Sequence, residues 1–505
     1  MARQQISPTA APARDLRHKP MKMHFRFMLA VLGIAVTASP ALAEPRFTPS
    51  ELRGDLTAMY QGLQSAAFDL YAFTPKAVLD RAYRDILAGL KKPMTLFKAQ
   101  IRFEEFASLV RMGHTRVDFP RAVWAQYLKD GGRAFPLAIR VVDGKTIVAQ
   151  NKSGMDSIAR GDQILEMNGT KMQDWLKRAE RHVSAETPYM AHSLMEFDFP
   201  IYVWVELGEA AGFDLVLRKS DSKTRSVRIP ARTSTEMETF AAAQPAALTL
   251  DEPMREAKIL ADNVGYLRPG PFYNAEAKTE AEAWDVSGFR TFIDDAFAKF
   301  SAAQVDRLII DLRGNPGGDN LFSDLMIAWF ADKPFRFFSQ FKVRVSPEST
   351  KANADRLQND AAAAGPVSRQ YAEMYAKAHP GEVVDFEMPL VEPRKDERFR
   401  GKIFLLIDRQ SYSNTVAVAA LVQDYKFGTV LGEETSDMAT TYGAMEQFKL
   451  PKTGIAVGYP KARIVRPNGD LRARGVTPDI AIRIPGVETP ADEVLQRAVA
   501  IAGEH

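Results

Sequence analysis

Two buried strands that each end in a short polar turn and restart as a helix constrain this chain more than any other feature. One is Ile403-Phe404-Leu405-Leu406-Ile407, followed by Asp408-Arg409-Gln410-Ser411-Tyr412-Ser413 and the Ala-rich run Val416 to Val422. The other, Arg307 to Leu312, runs into Arg313-Gly314-Asn315-Pro316-Gly317-Gly318 and then the helical stretch Leu321 to Phe330. Strands without polar alternation need cover on both faces, so their alternation with helices predicts a largely parallel sheet with helices outside it. Ile259 to Leu267 and Thr429 to Leu431 are expected to add strands, giving an α/β core over 250–485. A polar, Ala- and Lys-rich stretch over 346–400 interrupts this pattern and reads as a helical insertion over the sheet edge, or a lid.

The chain ahead of the core changes character twice. Leu52, Leu56, Met59, Tyr60 and Leu63 recur at helical spacing, and the pattern repeats over 77–90, after Thr74-Pro75, and over 96–109. Residues 44–130 are therefore expected to form an N-terminal helical domain. From 131 to 235 the pattern is strand and turn. Ala138 to Val142 meets Asp143-Gly144, a hairpin signal, and then Thr146 to Val148. Short strand pieces broken by Gly161-Asp162 and Asn168-Gly169 make this β-rich segment resemble a bacterial PDZ domain. Phe213 to Leu217 and Ser226 to Ile229 would close its sheet, with inserted helix between about 173 and 212. A C-terminal helix is expected over 486–505.

Residues 1–43 carry Arg3, Arg14, Arg17, Lys19, Lys22 and Arg26, then an apolar run from Phe27 to Ala38, then Ala41-Leu42-Ala43. Basic start, short apolar stretch and Ala-x-Ala site read as a signal peptide cut after Ala43, so the chain is expected to be exported, to the periplasm or beyond. The precursor has 66 basic and 63 acidic residues; removing the segment leaves 60 and 62, a formal charge of −2. The basic excess belongs to the signal, and without a Lys/Arg stripe interleaved with aromatics no nucleic-acid partner is expected. There are no cysteines, which excludes disulfides, a cysteine nucleophile and Cys-ligated zinc. No later stretch is long and apolar enough for an integral membrane span.

Ser413 sits where the Ala-rich helix begins. Free N–H groups and the positive end of the helix dipole there favour developing negative charge, so a nucleophile and an ordinary N-cap are both consistent with it. The turn at Gly317-Gly318 lets backbone N–H groups approach a ligand closely. It lacks the spacing of a phosphate-binding loop and fits an oxyanion hole beside the neighbouring strand, or simply a tight βα turn.

The order Asp311-Leu312-Arg313-Gly314-Asn315-Pro316-Gly317-Gly318, Ser411-Tyr412-Ser413, Leu431-Gly432-Glu433-Glu434-Thr435 and Arg474-Gly475-Val476-Thr477-Pro478-Asp479 resembles the tail-specific (C-terminal processing) serine peptidases. The resemblance implies a crotonase-like α/β core with a PDZ-like domain, action on polypeptide substrates through an acyl-enzyme, and neither metal nor other cofactor. It implies Ser413 as nucleophile and the backbone N–H groups of Asn414 and of Gly317 or Gly318 as oxyanion hole. Many members use a lysine a few residues after the Gly-Glu-x-Thr motif; Met438 stands there and cannot take a proton. The tricorn-like branch takes its base from an upstream histidine, and Gly113-His114-Thr115 matches that segment, making His114 the expected general base. Where that branch has an orienting glutamate, this chain has Arg472-Ala473-Arg474. Asp437, Glu433, Glu434, Asp479, Ser411 and Thr115 remain open as orienting groups, and Lys449 or Lys452 as an alternative base. A peptide-binding protein on an inactive scaffold is the competing expectation.

Overall fold

A computed structural model describes residues 45–117, 119–243, 255–279, 282–359, 365–395, 397–487 and 491–504. The segment read as a signal peptide lies outside them.

The two sequence-defining strands are neighbours. Arg307–Asp311 pairs in parallel with Lys402–Ile407, aligning Ile310 with Leu405. Val264–Arg268 lies on one side of this pair and Thr429–Gly432 followed by Ile480–Ala481 on the other, all parallel. Alternation splits the side chains between two cores. Leu308, Ile310, Leu405 and Ile407 face the helices Ser287–Ala302, Asn320–Ile327 and Asn414–Tyr425 through Ile293, Phe297, Phe322, Met326, Val416 and Val418. Ile309, Phe404 and Leu406 face the C-terminal helix Glu493–Glu504 through Val494, Ala498 and Ile501. The edge differs from expectation. The run expected as one strand is a hairpin, Glu256–Ile259 antiparallel to Val264–Arg268, reversed at Asp262 and Asn263, whose φ values are 56° and 54°.

A second sheet, antiparallel, is built from Val383–Asp385, Gln340–Arg344, Ala456–Val465 and Thr441–Lys449. The insertion lies on a face of this sheet, not over the edge of the parallel one. Its helices Pro347–Asn359 and Gly365–Lys377 pack Tyr371 and Tyr375 against Val343, Ala462 and Ile464. Arg356 adds a 2.8 Å bond to the buried Glu446.

The N-terminal segment forms helices Pro49–Ala66, Lys76–Gly89 and Leu96–Ser108, close to the periodic stretches. Residues 137–230 form five antiparallel strands, Leu137–Val142, Lys145–Asn151, Gln163–Met167, Gly212–Arg218 and Thr224–Pro230, with a short sixth, Thr170–Lys171, against the third. Asp143 and Gly144 both take positive φ, as a two-residue hairpin turn requires. The stretch between the third and fourth long strands holds three helices, Met172–Glu180, Pro188–Glu196 and Phe199–Leu207. Among the described residues no helix is long and apolar enough to cross a membrane.

Candidate active site

Two turns leave the carboxyl ends of adjacent parallel strands, the edge where open α/β sheets place their sites. Their hydrogen bonds lace them together. Leu312 N–H donates to Leu406 O (2.8 Å), Gly314 N–H to Asp408 Oδ1 (3.0 Å), Ser411 Oγ to Leu312 O (2.8 Å) and Tyr412 N–H to Asn315 O (3.0 Å). Ser411 is wholly occupied in this lacing, so its hydroxyl does not orient the imidazole.

Ser413 precedes its helix with φ 54° and ψ −122°, a conformation that costs a non-glycine residue about 1–3 kcal/mol. The strain persists because both flanks are fixed. Tyr412 is tied to Asn315, and the Ser413 N–H donates to Asp437 Oδ2 at 2.6 Å. The side chain does not cap its own helix, which separates Ser413 from an ordinary N-cap serine.

The glycine turn lies against this serine. A Cβ on Gly317 would stand 2.6 Å from Tyr412 O, 2.8 Å from Asn414 N and 2.9 Å from Ser413 Cβ. The two glycines differ in what they offer. Gly317 N–H already donates to Asn315 Oδ1 at 3.0 Å, and Gly317 is buried. Gly318 is exposed, and its N–H, like that of Asn414, has no partner among the described residues. Asn414 anchors its own side chain by donating to Ser323 Oγ at 2.9 Å.

His114 arrives from the N-terminal helices. Beyond helix Leu96–Ser108 the chain turns at a left-handed Arg111 (φ 60°), and Arg116–Val117 then pairs with Val457 and Gly458 of the antiparallel sheet. The turn between delivers the imidazole to the serine loop, 5.8 Å from the Tyr412 ring centroid with the planes 26° apart. His114 is 8% exposed, and its Nδ1 is buried with no hydrogen-bond partner among the described residues. Burial holds its pKa below the ordinary imidazole value; Asp437 opposes this and Arg116 reinforces it. Asp437 is raised by burial, against the pull of His114 and the N–H groups of Ser413 and Met438.

The other sequence candidates are engaged elsewhere. Glu433 grips Arg409, with Oε1 2.6 Å from the guanidinium. Glu434 gives its carbonyl to the Tyr189 hydroxyl, and Asp479 accepts the Val430 N–H. Thr115 Oγ1 is buried and has no hydrogen-bond partner among the described residues. Lys452 is exposed at the tip of the hairpin between Thr441–Lys449 and Ala456–Val465, where its N–H donates to Asp55 Oδ1 on the first helix. Lys449 is exposed at the end of the same strand. Neither lysine is brought to Ser413. Met438 is buried at the lysine position, and Arg472 and Arg474 pair with Asp470. His182 and His192 are held by Glu206 (2.7 Å) and Glu180 (3.1 Å). Two residues the sequence reading did not single out join the site: Tyr412, and Glu186, which accepts the Gly113 N–H at 3.1 Å.

Fold and site together have the form of a serine hydrolase, with a strained serine at a helix N-terminus beside a glycine turn. Residues 263–482, which hold most of the parallel sheet and Ser413, match the model of peptidase family S41. Mature CPAF complexed with lactacystin has the same fold, at a TM-score of 0.60 and 17% identity over 90% of this chain and 97% of that one. A second structure of mature CPAF gives 0.60 and 17% over 90% and 96%. By sequence, no curated protein matches the chain.

Proposed function

We propose that the chain is an exported endopeptidase of the histidine-using branch, cleaving polypeptides through an acyl-enzyme on Ser413. The observation that carries this reading is the convergence on one turn of the strained Ser413, the exposed Gly318 N–H and the buried His114 ring. His114, kept neutral by burial, takes the Ser413 proton as Oγ bonds to the scissile carbonyl carbon. The N–H groups of Gly318 and Asn414 receive the oxyanion. The C–N bond then breaks, and the imidazolium gives its proton to the leaving amine. Water, deprotonated by His114, hydrolyses the ester, and the proton returns to Ser413. Asp437, the carboxylate that most opposes the depression of the His114 pKa, steadies the imidazolium. Substrate binding completes the contact between imidazole and serine hydroxyl, as such contacts tighten in the Michaelis complex.

In this reading the parallel sheet is the crotonase-like core, and the 131–235 segment is a PDZ-like domain that binds a polypeptide end or loop. A fluorophosphonate probe tests the chemistry. Labelling is expected in the native protein and in Lys452→Ala, to be lost in Ser413→Ala, and to fall to a slow residual rate in His114→Ala. Labelling that survives His114→Ala but fails in Lys452→Ala would overturn the base. A protein that labels under no condition and cleaves no peptide would be a binding scaffold. Cell fractionation tests export.

A further inference from the structure

The strap Ser184-Ala185-Glu186, between helices Met172–Glu180 and Pro188–Glu196, lies directly on the turn that carries His114. Ser184 Oγ donates to Met112 O (2.7 Å) and accepts Met112 N–H (3.2 Å); Glu186 Oε2 accepts Gly113 N–H (3.1 Å), and its carbonyl accepts the Arg111 guanidinium (3.1 Å). Every residue from 111 to 113 is thus held by this strap. Gly113 leaves no slack, since a Cβ there would stand 2.3 Å from Met190 Cε, 3.0 Å from the Tyr412 hydroxyl and 3.4 Å from Glu186 Oε2. The Tyr412 hydroxyl donates to Gly113 O at 3.2 Å, so the residue before the base and the residue before the nucleophile are joined.

Glu186 has more in it than a strap needs. It is 4% exposed, and its Oε1 is buried with no hydrogen-bond partner among the described residues, a costly arrangement for a carboxylate. Arg472 and Arg474, which stand where the resemblance puts an orienting glutamate, are turned to Asp470.

We propose that Glu186 is the positioning residue of His114, fixing the imidazole against Tyr412 through the Gly113 amide, while Asp437 supplies the carboxyl that acts on the ring electrostatically. It touches neither substrate nor the reacting atoms. Burial, with the nearby Asp437 as a second cause, pushes its carboxyl up to about 8, while the Gly113 amide and Arg111 act the other way. Glu186 therefore keeps its proton near neutrality and adds no second negative charge beside Asp437.

The inference rests on His114 as general base, and the test separates the two. Fluorophosphonate labelling rates and peptide kcat and KM are measured on the full mature chain and on Glu186→Ala, Glu186→Gln, His114→Ala and Glu186→Ala/His114→Ala. Glu186→Ala is expected to slow labelling by about tenfold or more through kcat, because small misplacements of a catalytic group cost up to about 10²-fold. Glu186→Gln, whose amide oxygen still accepts the Gly113 N–H, is expected to stay within about threefold of the native rate. In the His114→Ala background, Glu186→Ala should add nothing, since residues acting as one unit are not additive. If Glu186→Ala does not fold, Glu186→Asp carries the test: its shorter carboxyl leaves the Gly113 amide, and the same slowing is expected. A native rate in Glu186→Ala or Glu186→Asp, or effects that multiply with His114→Ala, would overturn the role of Glu186. A native rate in His114→Ala itself would instead overturn the base.

Discussion

The carboxylate of Asp437 binds the backbone of Ser413, Oδ2 to N at 2.6 Å, while its other oxygen accepts the Met438 N–H at 2.8 Å. One buried acid thus fixes the strained serine and is also the carboxyl that acts to raise the His114 pKa. Asp437→Asn keeps an oxygen for the serine amide, removes the acidic group and turns its NH2 toward the Met438 N–H. We expect kcat/KM to fall by about 10²-fold or more, as when the acid of a serine–histidine–acid triad is neutralised, with the fold intact by circular dichroism. A variant within twofold of the native kcat/KM would remove Asp437 from catalysis.

In the proposed mechanism the depressed His114 pKa sets the acid limb of activity. With His114 as the proposed base, the working form is the neutral imidazole, and kcat/KM is expected to rise with pH through the free-enzyme pKa. Burial places that pKa below the ordinary imidazole value of about 6.5, and the limb should lie below it too. Asp437 acts to raise the value, so Asp437→Asn should move the limb further down. A limb above pH 7 in the native enzyme would contradict this.

Gly317 and Gly131 separate backbone strain from active-site crowding. Their φ values are 88° and 87°, so alanine meets a similar conformational cost of about 1–2 kcal/mol at each. A Cβ at Gly131 meets nothing within 4 Å, whereas at Gly317 it presses on Tyr412, Ser413 and Asn414. Gly317→Ala should lose about 10²-fold or more in kcat, the scale of a disrupted oxyanion hole, while Gly131→Ala keeps native kcat. Equal kcat values in the two variants would count against the crowding argument.

What the sequence disclosed follows from how local each feature is. The two strand–turn–helix junctions could be read because strand, glycines and serine are contiguous. The hairpin at Asp262-Asn263 was missed because its apolar flanks read as one strand, although those two residue types are the ones that tolerate positive φ. The insertion was misplaced because its site depends on Gln340–Arg344 pairing with Ala456–Val465, a contact about 120 residues long-range that no periodicity encodes. His114 could be found by motif. Its surroundings could not, since Glu186, Tyr412 and Asp437 reach it from three distant segments.

Arg409 carries the clearest prediction for stability. It lies four residues before Ser413 and is buried, with Glu433 at 2.6 Å, Glu196 at 3.1 Å and Val141 O at 2.8 Å. These partners come from the parallel sheet and from the 131–235 segment, so one guanidinium holds that segment against the serine loop. Glu196 is itself buried, and burial already pushes its pKa up against the pull of Arg409. Arg409→Met leaves that carboxyl without its cation, and breaking a buried pair from one side costs about 3–5 kcal/mol. Because the raised carboxyl can take up a proton, the loss should be smaller at low pH, where Glu196 is neutral, and larger at neutral pH. Urea unfolding of Arg409→Met and the native chain at pH 5 and pH 7.5 checks both parts. A loss below about 1 kcal/mol at pH 7.5 would mean that the pair contributes no more than a surface ion pair does.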